Sequence, residues 1–159
     1  MTVAAGFDPV IDAETRILIL GSFPGTASLA ASQYYAHPRN QFWRLISALI
    51  NCDLVPLPYA IRLDALRNKH IGLWDVIADC TRKGSLDSAI RAARVNNLAL
   101  LPAHCPRLKK IGFNGKTAGK FAPQFSSAGF DTIVLPSSSP AYASLSFERK
   151  LTQWRKLLD

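Results

Sequence analysis

The run QYYAHPRNQFW, Gln33 to Trp43, gathers two tyrosines, a histidine, an arginine and three side-chain amides in a short stretch. Tyrosine rings stack on planar heterocycles, amides offer a donor beside an acceptor, and arginine holds phosphate, so these residue types suit a nucleobase on its backbone. Phe42 and Trp43 fit a hydrophobic core equally well. Ordinary acid–base groups are scarce. The histidines are His37, His70 and His104, and past the first fourteen residues the carboxylates form no closely spaced pair beyond Asp75 and Asp79. A general acid–base enzyme usually offers more.

Two familiar patterns nearly match and fail. Asn114-Gly115-Lys116-Thr117 ends like a phosphate loop, but the spacing of that loop calls for glycine where Lys110 stands. Gly21-Ser22-Phe23-Pro24-Gly25 has the outline of a nucleophile elbow with Phe23 in place of serine. A nucleoside triphosphatase and a serine hydrolase are both disfavoured.

The elements that must position these residues alternate. Arg16 to Leu20 (RILIL), closed by Gly21, reads as a buried parallel strand. Asn40 to Ile50 carries Phe42, Trp43, Ile46, Leu49 and Ile50 at helical spacing, with Pro38 upstream as a start signal, and Tyr59 to Asn68 reads as a second helix. Residues 71 to 85 are expected to be a short apolar turn and a loop. Asn97 is placed to cap a short helix reaching the Ala103 region, followed by a strand from Leu108 to Phe113. A helix over Gly115 to Ala128, a strand over Thr132 to Leu135 and a closing helix over Ser146 to Leu158, with Phe147, Leu151, Trp154 and Leu158 facing inward, complete the reading. The alternation predicts an α/β fold, a three-layer α/β/α sandwich around a central, mainly parallel sheet, occupying residues 1–159 as one domain. Ligands of such sheets bind beyond the carboxyl ends of the strands, which points to three loops: Gly21 to Asn40, Asn114 to Lys116 and Pro136 to Ala143.

Composition narrows the classes further. With 159 residues, 48% hydrophobic and 19% charged, the chain is long enough to bury its own core and too apolar to be disordered. Its longest aliphatic runs fall far short of the ~20 residues of a membrane helix. The opening MTVAAGFDPVIDAE lacks a basic, then apolar, secretory leader, so a cytoplasmic chain is expected. Cys52, Cys80 and Cys105 are widely spaced, which argues against zinc, iron–sulfur and disulfide frameworks; neither metal nor cofactor is expected. The formal charge is +8 and unevenly spread: residues 1–38 hold one basic and three acidic side chains, and the rest hold eighteen and eight. No acidic residue occurs between Asp87 and Asp131, where seven lysines and arginines do. A polyanionic partner and a solvated basic face explain this equally well.

A resemblance then enters on independent residues. GSFPGTASLAASQYYAHPRNQFWRLI (Gly21 to Ile46) resembles the first motif region of the uracil-DNA glycosylase superfamily, with its G-x-x-P-G after the first strand. HPRNQFW is similar to the H-P-x-N-x-F-W stretch of the mismatch-specific branch, LPSSSPAYAS (Leu135 to Ser144) to the second motif, and IGLWDVIADCTRKGSLDSAI (Ile71 to Ile90) to the middle of the hypoxanthine-DNA glycosylase branch. The four segments come in order over most of residues 16 to 158. The clustered cysteines of the iron–sulfur branches are missing.

The resemblance implies a sheet of about four strands, a DNA partner carrying a deaminated base, and a monomer. It implies a glycosylase that extrudes and excises hypoxanthine, in base-excision repair, without a Schiff-base lysine. Uracil or thymine excision at G mismatches, and a DNA-binding protein that keeps the fold without the chemistry, are the alternatives. Other branches carry a water-positioning Asn, Asp or Glu where Phe23 stands; the hypoxanthine branch relies on an Asn matching Asn40. Asn40 is therefore the catalytic candidate: its amide orients water and donates a hydrogen bond without titrating. It is also well placed to cap the helix that follows. Tyr35 matches the ring-stacking aromatic, Phe23 a hydrophobic wall, and the backbone of Gly21, Ser22, Phe23, Pro24 and Gly25 a cradle for the base carbonyl. Asn114 is either an edge reader or a turn residue. Ser137, Ser138 and Ser139 are expected beside the sugar and phosphate, Arg39 and Lys116 on phosphates, and Tyr142 near the wedge that fills the emptied stack. Asp75, Arg82, Ser85 and Asp87 receive no role.

Overall fold

A computed structural model describes residues 2–159. In chain order the elements are β1 (Ala4–Ala5), β2 (Ile17–Gly21), α1 (Thr26–Ala31), α2 (Phe42–Ile50), α3 (Tyr59–Asn68), β3 (Ile71–Asp75), β4 (Ile77–Thr81), β5 (Arg91–Val95), α4 (Leu101–His104), β6 (Lys110–Asn114), α5 (Lys116–Gly119), α6 (Ala122–Ser127), β7 (Asp131–Leu135) and α7 (Phe147–Trp154). Short 3-10 turns span Asp87–Ala89, Leu98–Leu100 and Arg155–Leu158.

The central sheet runs β3-β2-β6-β7, and every pairing in it is parallel. Side chains alternate across it as the pleat demands. Leu18, Leu20, Trp74, Ile111 and Phe113 face a core completed by Leu98, Leu101, Ala118 and Phe125. Ile19, Ile71, Leu73 and Leu135 face the opposite core, filled by Phe42, Leu45, Ile46 and Leu49 of α2, Leu66 of α3, and Leu151 and Trp154 of α7. These are the three layers and the four-stranded parallel sheet that the sequence implies. Because both faces are covered, the strands read as near-continuous apolar runs.

Several local expectations need correction. Residues 71–85 are no apolar turn: Ile71–Asp75 is the fully buried edge of the central sheet, and Ile77–Thr81 belongs to a separate antiparallel sheet of order β1-β4-β5. Strand β5 escapes a pattern search because all five of its side chains are exposed and its ladder to β4 shifts register twice. Gly115 to Ala128 is broken into two short helices, the second starting at a proline-bearing turn. The closing helix tightens into a 3-10 turn after Trp154, which advances the inner position to three residues on; Leu157 is buried and Leu158 is 51% exposed. Asn97 precedes a 3-10 turn without a side-chain cap. Helix α1, five small residues and a single leucine, Leu29, after Gly25, gives no apolar period to read.

Candidate base-recognition site

A cleft of about 370 Å³ opens where β2, β3, β6 and β7 end. Its size falls in the range of small-molecule sites. The loop Gly21–Gly25, the turn holding His37 and Asn40, Asn114, and the loop Ser137–Tyr142 line it together. The same wall includes Asp75 and the stretch Ser85–Ser88. Of the residues singled out in the sequence, Arg39 borders a smaller depression beside the cleft with Gln41 and Lys150, and Lys116 is exposed at the start of α5, outside both linings.

The first loop is held from outside. The carbonyls of Gly21 and Ser22 accept from the N–H groups of Val76 and Ile77, so the β3–β4 corner wraps the end of β2. Ser22 Oγ donates to Asp87 at 2.7 Å, Ser85 Oγ accepts from the Thr26 N–H at 2.9 Å, and the Arg82 guanidinium donates to the Pro24 carbonyl. Arg82 also lies 5.3 Å over the Phe23 ring. Phe23 is 7% exposed and packs into the core while touching the cleft, so it is wall and filler at once. Residues 82–87 thus clamp the G-x-x-P-G loop. Their mixed polar composition carried no period, and only the contact with the loop discloses what they do.

Asn40 sits on the rim. Its Oδ1 accepts from the Phe42 N–H at 3.0 Å, and its own N–H donates to the His37 carbonyl at 2.9 Å. The side-chain carbonyl therefore starts α2, where Gln41 is the cap position and makes no side-chain bond of its own. Tyr35 adopts φ +57°, a left-handed conformation costing about 1 kcal/mol or more for a residue with a Cβ. That backbone lays one ring face on Phe42, centroids 3.9 Å apart and planes 13° from parallel.

The second loop is tied to the sheet and to α7. Asn114 donates to Ser138 Oγ and accepts from the Ser138 N–H, both at 2.9 Å. The Ser138 carbonyl accepts from the Gln41 N–H, and Ser137 and Ser139 bond the backbone N–H groups two residues on. Gly115, with φ +97°, permits the turn out of β6; a Cβ there would press on Ser137 at 3.3 Å. From below, the Trp154 indole donates to the Pro136 carbonyl at 2.9 Å, and Lys150, 2% exposed, donates to the Tyr142 carbonyl at 2.7 Å. Burial lowers the Lys150 pKa. The helical period of α7 marks it as a packing element and says nothing of this second task.

The floor holds Asp75, opposite Gly21 in the β2–β3 ladder. It is 4% exposed, its Oδ2 has no hydrogen-bond partner, and a Cβ on residue 21 would come within 2.5 Å of its Oδ1. Glycine at the end of β2 is what lets that carboxyl lie across the strand. Burial, then the Asp87 charge, push the Asp75 pKa up to about 7, with Arg82 opposing. The Tyr35 hydroxyl ends beside the same glycine, also unpartnered; burial and Asp75 raise its pKa, and Asn114 tempers the shift from outside hydrogen-bonding geometry. Asp79, Asp75's neighbour in sequence, points elsewhere and pairs with Arg94.

Comparison with known families agrees with this geometry. The profile of the Uracil DNA glycosylase superfamily matches residues 9–158, nearly the whole chain. The chain belongs to the uracil DNA glycosylase superfamily. Among its relatives, a hypoxanthine DNA glycosylase of Methanosarcina barkeri is 46% identical over 136 residues, 86% of each protein. A hypoxanthine DNA glycosylase of Methanosarcina acetivorans is 41% identical over 152 residues, 96% of each. A solution NMR structure of a provisionally named uracil DNA glycosylase from Methanosarcina acetivorans superposes with a TM-score of 0.88 at 39% identity, covering 99% of this chain and 100% of that one. In this superfamily member the two motif loops and the end of β3 converge on one cleft.

Proposed function

We propose that the protein is a monofunctional DNA glycosylase that extrudes a deaminated base, hypoxanthine foremost, and hydrolyses its N-glycosidic bond. The observation carrying this reading is the convergence of Gly21–Gly25, Asn40 and Ser137–Ser139 on one cleft of nucleobase scale, although more than a hundred residues separate the loops. The names of the two Methanosarcina relatives support hypoxanthine as the base.

Base loss passes through an oxocarbenium-like sugar, which needs little push from a nucleophile but a well-placed water and a stabilised leaving base. Asn40 lies on the cleft rim and supplies an amide there. Its Oδ1 is fixed by the Phe42 N–H, so the group is oriented before substrate arrives, and orientation is the form of catalysis open to a neutral side chain. Ser137 and Ser139 bring a small-residue surface against the sugar–phosphate. Phe23 and the face of Tyr35 left by Phe42 pack on the base, a contact worth about 1–3 kcal/mol.

The decisive experiment is release of free base from duplexes containing deoxyinosine, deoxyuridine, deoxyxanthosine or a G·T mismatch. Hypoxanthine is expected to be released fastest, and Asn40→Ala to slow it by about 100-fold or more with the fold retained. Preferential uracil or thymine release would move the substrate assignment to the mismatch alternative. Salt-dependent duplex binding with no base released would make the protein a binder that has lost the chemistry.

A further inference from the structure

Two apolar side chains stand open to solvent at the mouth of the cleft. Of the large apolar side chains exposed among the described residues, Leu86 and Tyr142 alone line it, at 56% and 36% exposure. They arrive from opposite sides. Leu86 sits between β4 and β5, the ribbon that follows β3, and Tyr142 in the loop after β7; β3 and β7 are the two edges of the central sheet. Leu86 is held by its neighbours and not by its own packing. Ser85 Oγ accepts from the Thr26 N–H and donates to Thr26 Oγ1, both at 2.9 Å. On the other side Asp87 accepts from Ser22 Oγ at 2.7 Å, and the Leu86 carbonyl accepts from the Ala89 N–H to open a 3-10 turn. Both flanks are fastened to the G-x-x-P-G loop, while the leucine between them joins neither core. A leucine gains by leaving water, and this pinned backbone keeps it there until another surface covers it.

We propose that Leu86 is a second prong for opening the duplex: it inserts beside the extruded nucleotide and packs on the flanking base pair, from the side opposite Tyr142. The proposal rests on the base-excision reading above. Extrusion unstacks a base from both of its neighbours, and proteins that open DNA offset that loss with apolar side chains, leucine among them, pushed between the bases. The vacated position leaves two base faces bare, one on each side of the gap. Two apolar groups arriving from two lips have a face each to cover. The charge around Leu86 suits the same partner. Lys83 and Arg91 lie on its segment and are exposed, Asp87 is engaged by Ser22, and no further acidic residue occurs before Asp131. A phosphate backbone is therefore drawn toward this lip.

The test places 2-aminopurine, whose fluorescence rises when it unstacks, beside a deoxyinosine made uncleavable by a 2′-fluoroarabino sugar. At saturating protein the parent is expected to raise the fluorescence, Leu86→Ala to lose most of the rise, and Leu86→Met to keep it. Position 86 is exposed, so thermal unfolding should be unaltered in both variants. Rates are then read on cleavable deoxyinosine. Leu86→Ala should release hypoxanthine from a duplex about tenfold or more slowly, and from a single strand, which has little stack to open, no more than about twofold more slowly. Equal slowing on both substrates would make Leu86 part of the base pocket and overturns the proposal. So does a full fluorescence rise with Leu86→Ala, or a parent that raises none. A parent that opens the uncleavable duplex through Leu86 yet releases no base from either substrate refutes the function and leaves the prong standing.

Discussion

Asn114 and Ser138 close a two-bond ring, amide to hydroxyl and backbone N–H to amide oxygen, that fastens the end of β6 to the loop following β7. Both residues are buried, so removing either leaves an orphaned partner. Asn114→Ala is expected to lower stability by about 1–3 kcal/mol in urea unfolding. A cycle with Ser138→Ala should return a coupling of about 0.5–3 kcal/mol; strictly additive losses would mean the ring contributes nothing as a unit.

Asp75 sets a pH dependence whose sign is unusual for a carboxyl. Its folded pKa of about 7 lies above the ordinary 3.8, so the folded state keeps a proton that the unfolded chain releases between those values. Stability therefore falls as pH rises through that window. Asp75→Asn removes the effect, and its advantage over the parent should be larger at pH 8 than at pH 5 by on the order of 1–3 kcal/mol in chemical denaturation. An advantage greater at pH 5 would contradict the burial argument.

Lys150 holds the loop that bears Tyr142. Lys150→Met keeps the apolar stem and forfeits the bond to the Tyr142 carbonyl, a charge-assisted contact of about 1.5–3 kcal/mol. The helix should remain while residues 139–145 become more readily cut by protease, and base release should slow by about tenfold. Unchanged cleavage in that loop would show that Trp154 alone suffices to anchor it.

Arg39 borders the depression beside the cleft and Lys116 starts α5, and both cations are exposed. If each meets one phosphate, Arg39→Ala and Lys116→Ala should each reduce the slope of log affinity against log salt by about 1, with affinity falling alike for every duplex sequence. An unaltered slope in either variant removes that residue from the DNA contact surface.

The parallel sheet was legible because buried parallel strands advertise themselves: RILIL and TIVL are unbroken apolar runs, and α2 and α7 show helical spacing against them. β4 and β5 were not, since an exposed ladder with two register shifts leaves no period in the residues. The site divides the same way. Glycine, proline and serine loops at strand ends and the run around Asn40 can be noticed as residue types. Asp75 can be noticed but not placed: it ends an apolar strand, Asp79, four residues on, belongs to another sheet, and its partner Gly21 lies 54 positions away. Nor could Asn114 be resolved between edge reader and turn residue, because Ser138 reaches it only in the folded chain. The clamp made by Arg82, Ser85 and Asp87 is likewise a matter of where a loop lands.

Helix α7 follows every other segment that touches the cleft, yet it carries the two props of the second loop, Lys150 and Trp154. A chain emerging from the ribosome would thus expose both glycosylase motifs before it had anything to brace them. The cleft gains its far wall only once those last turns have docked, so a truncated or stalled product would bear the family's signature sequences without the braces that hold the loop from Pro136 to Tyr142.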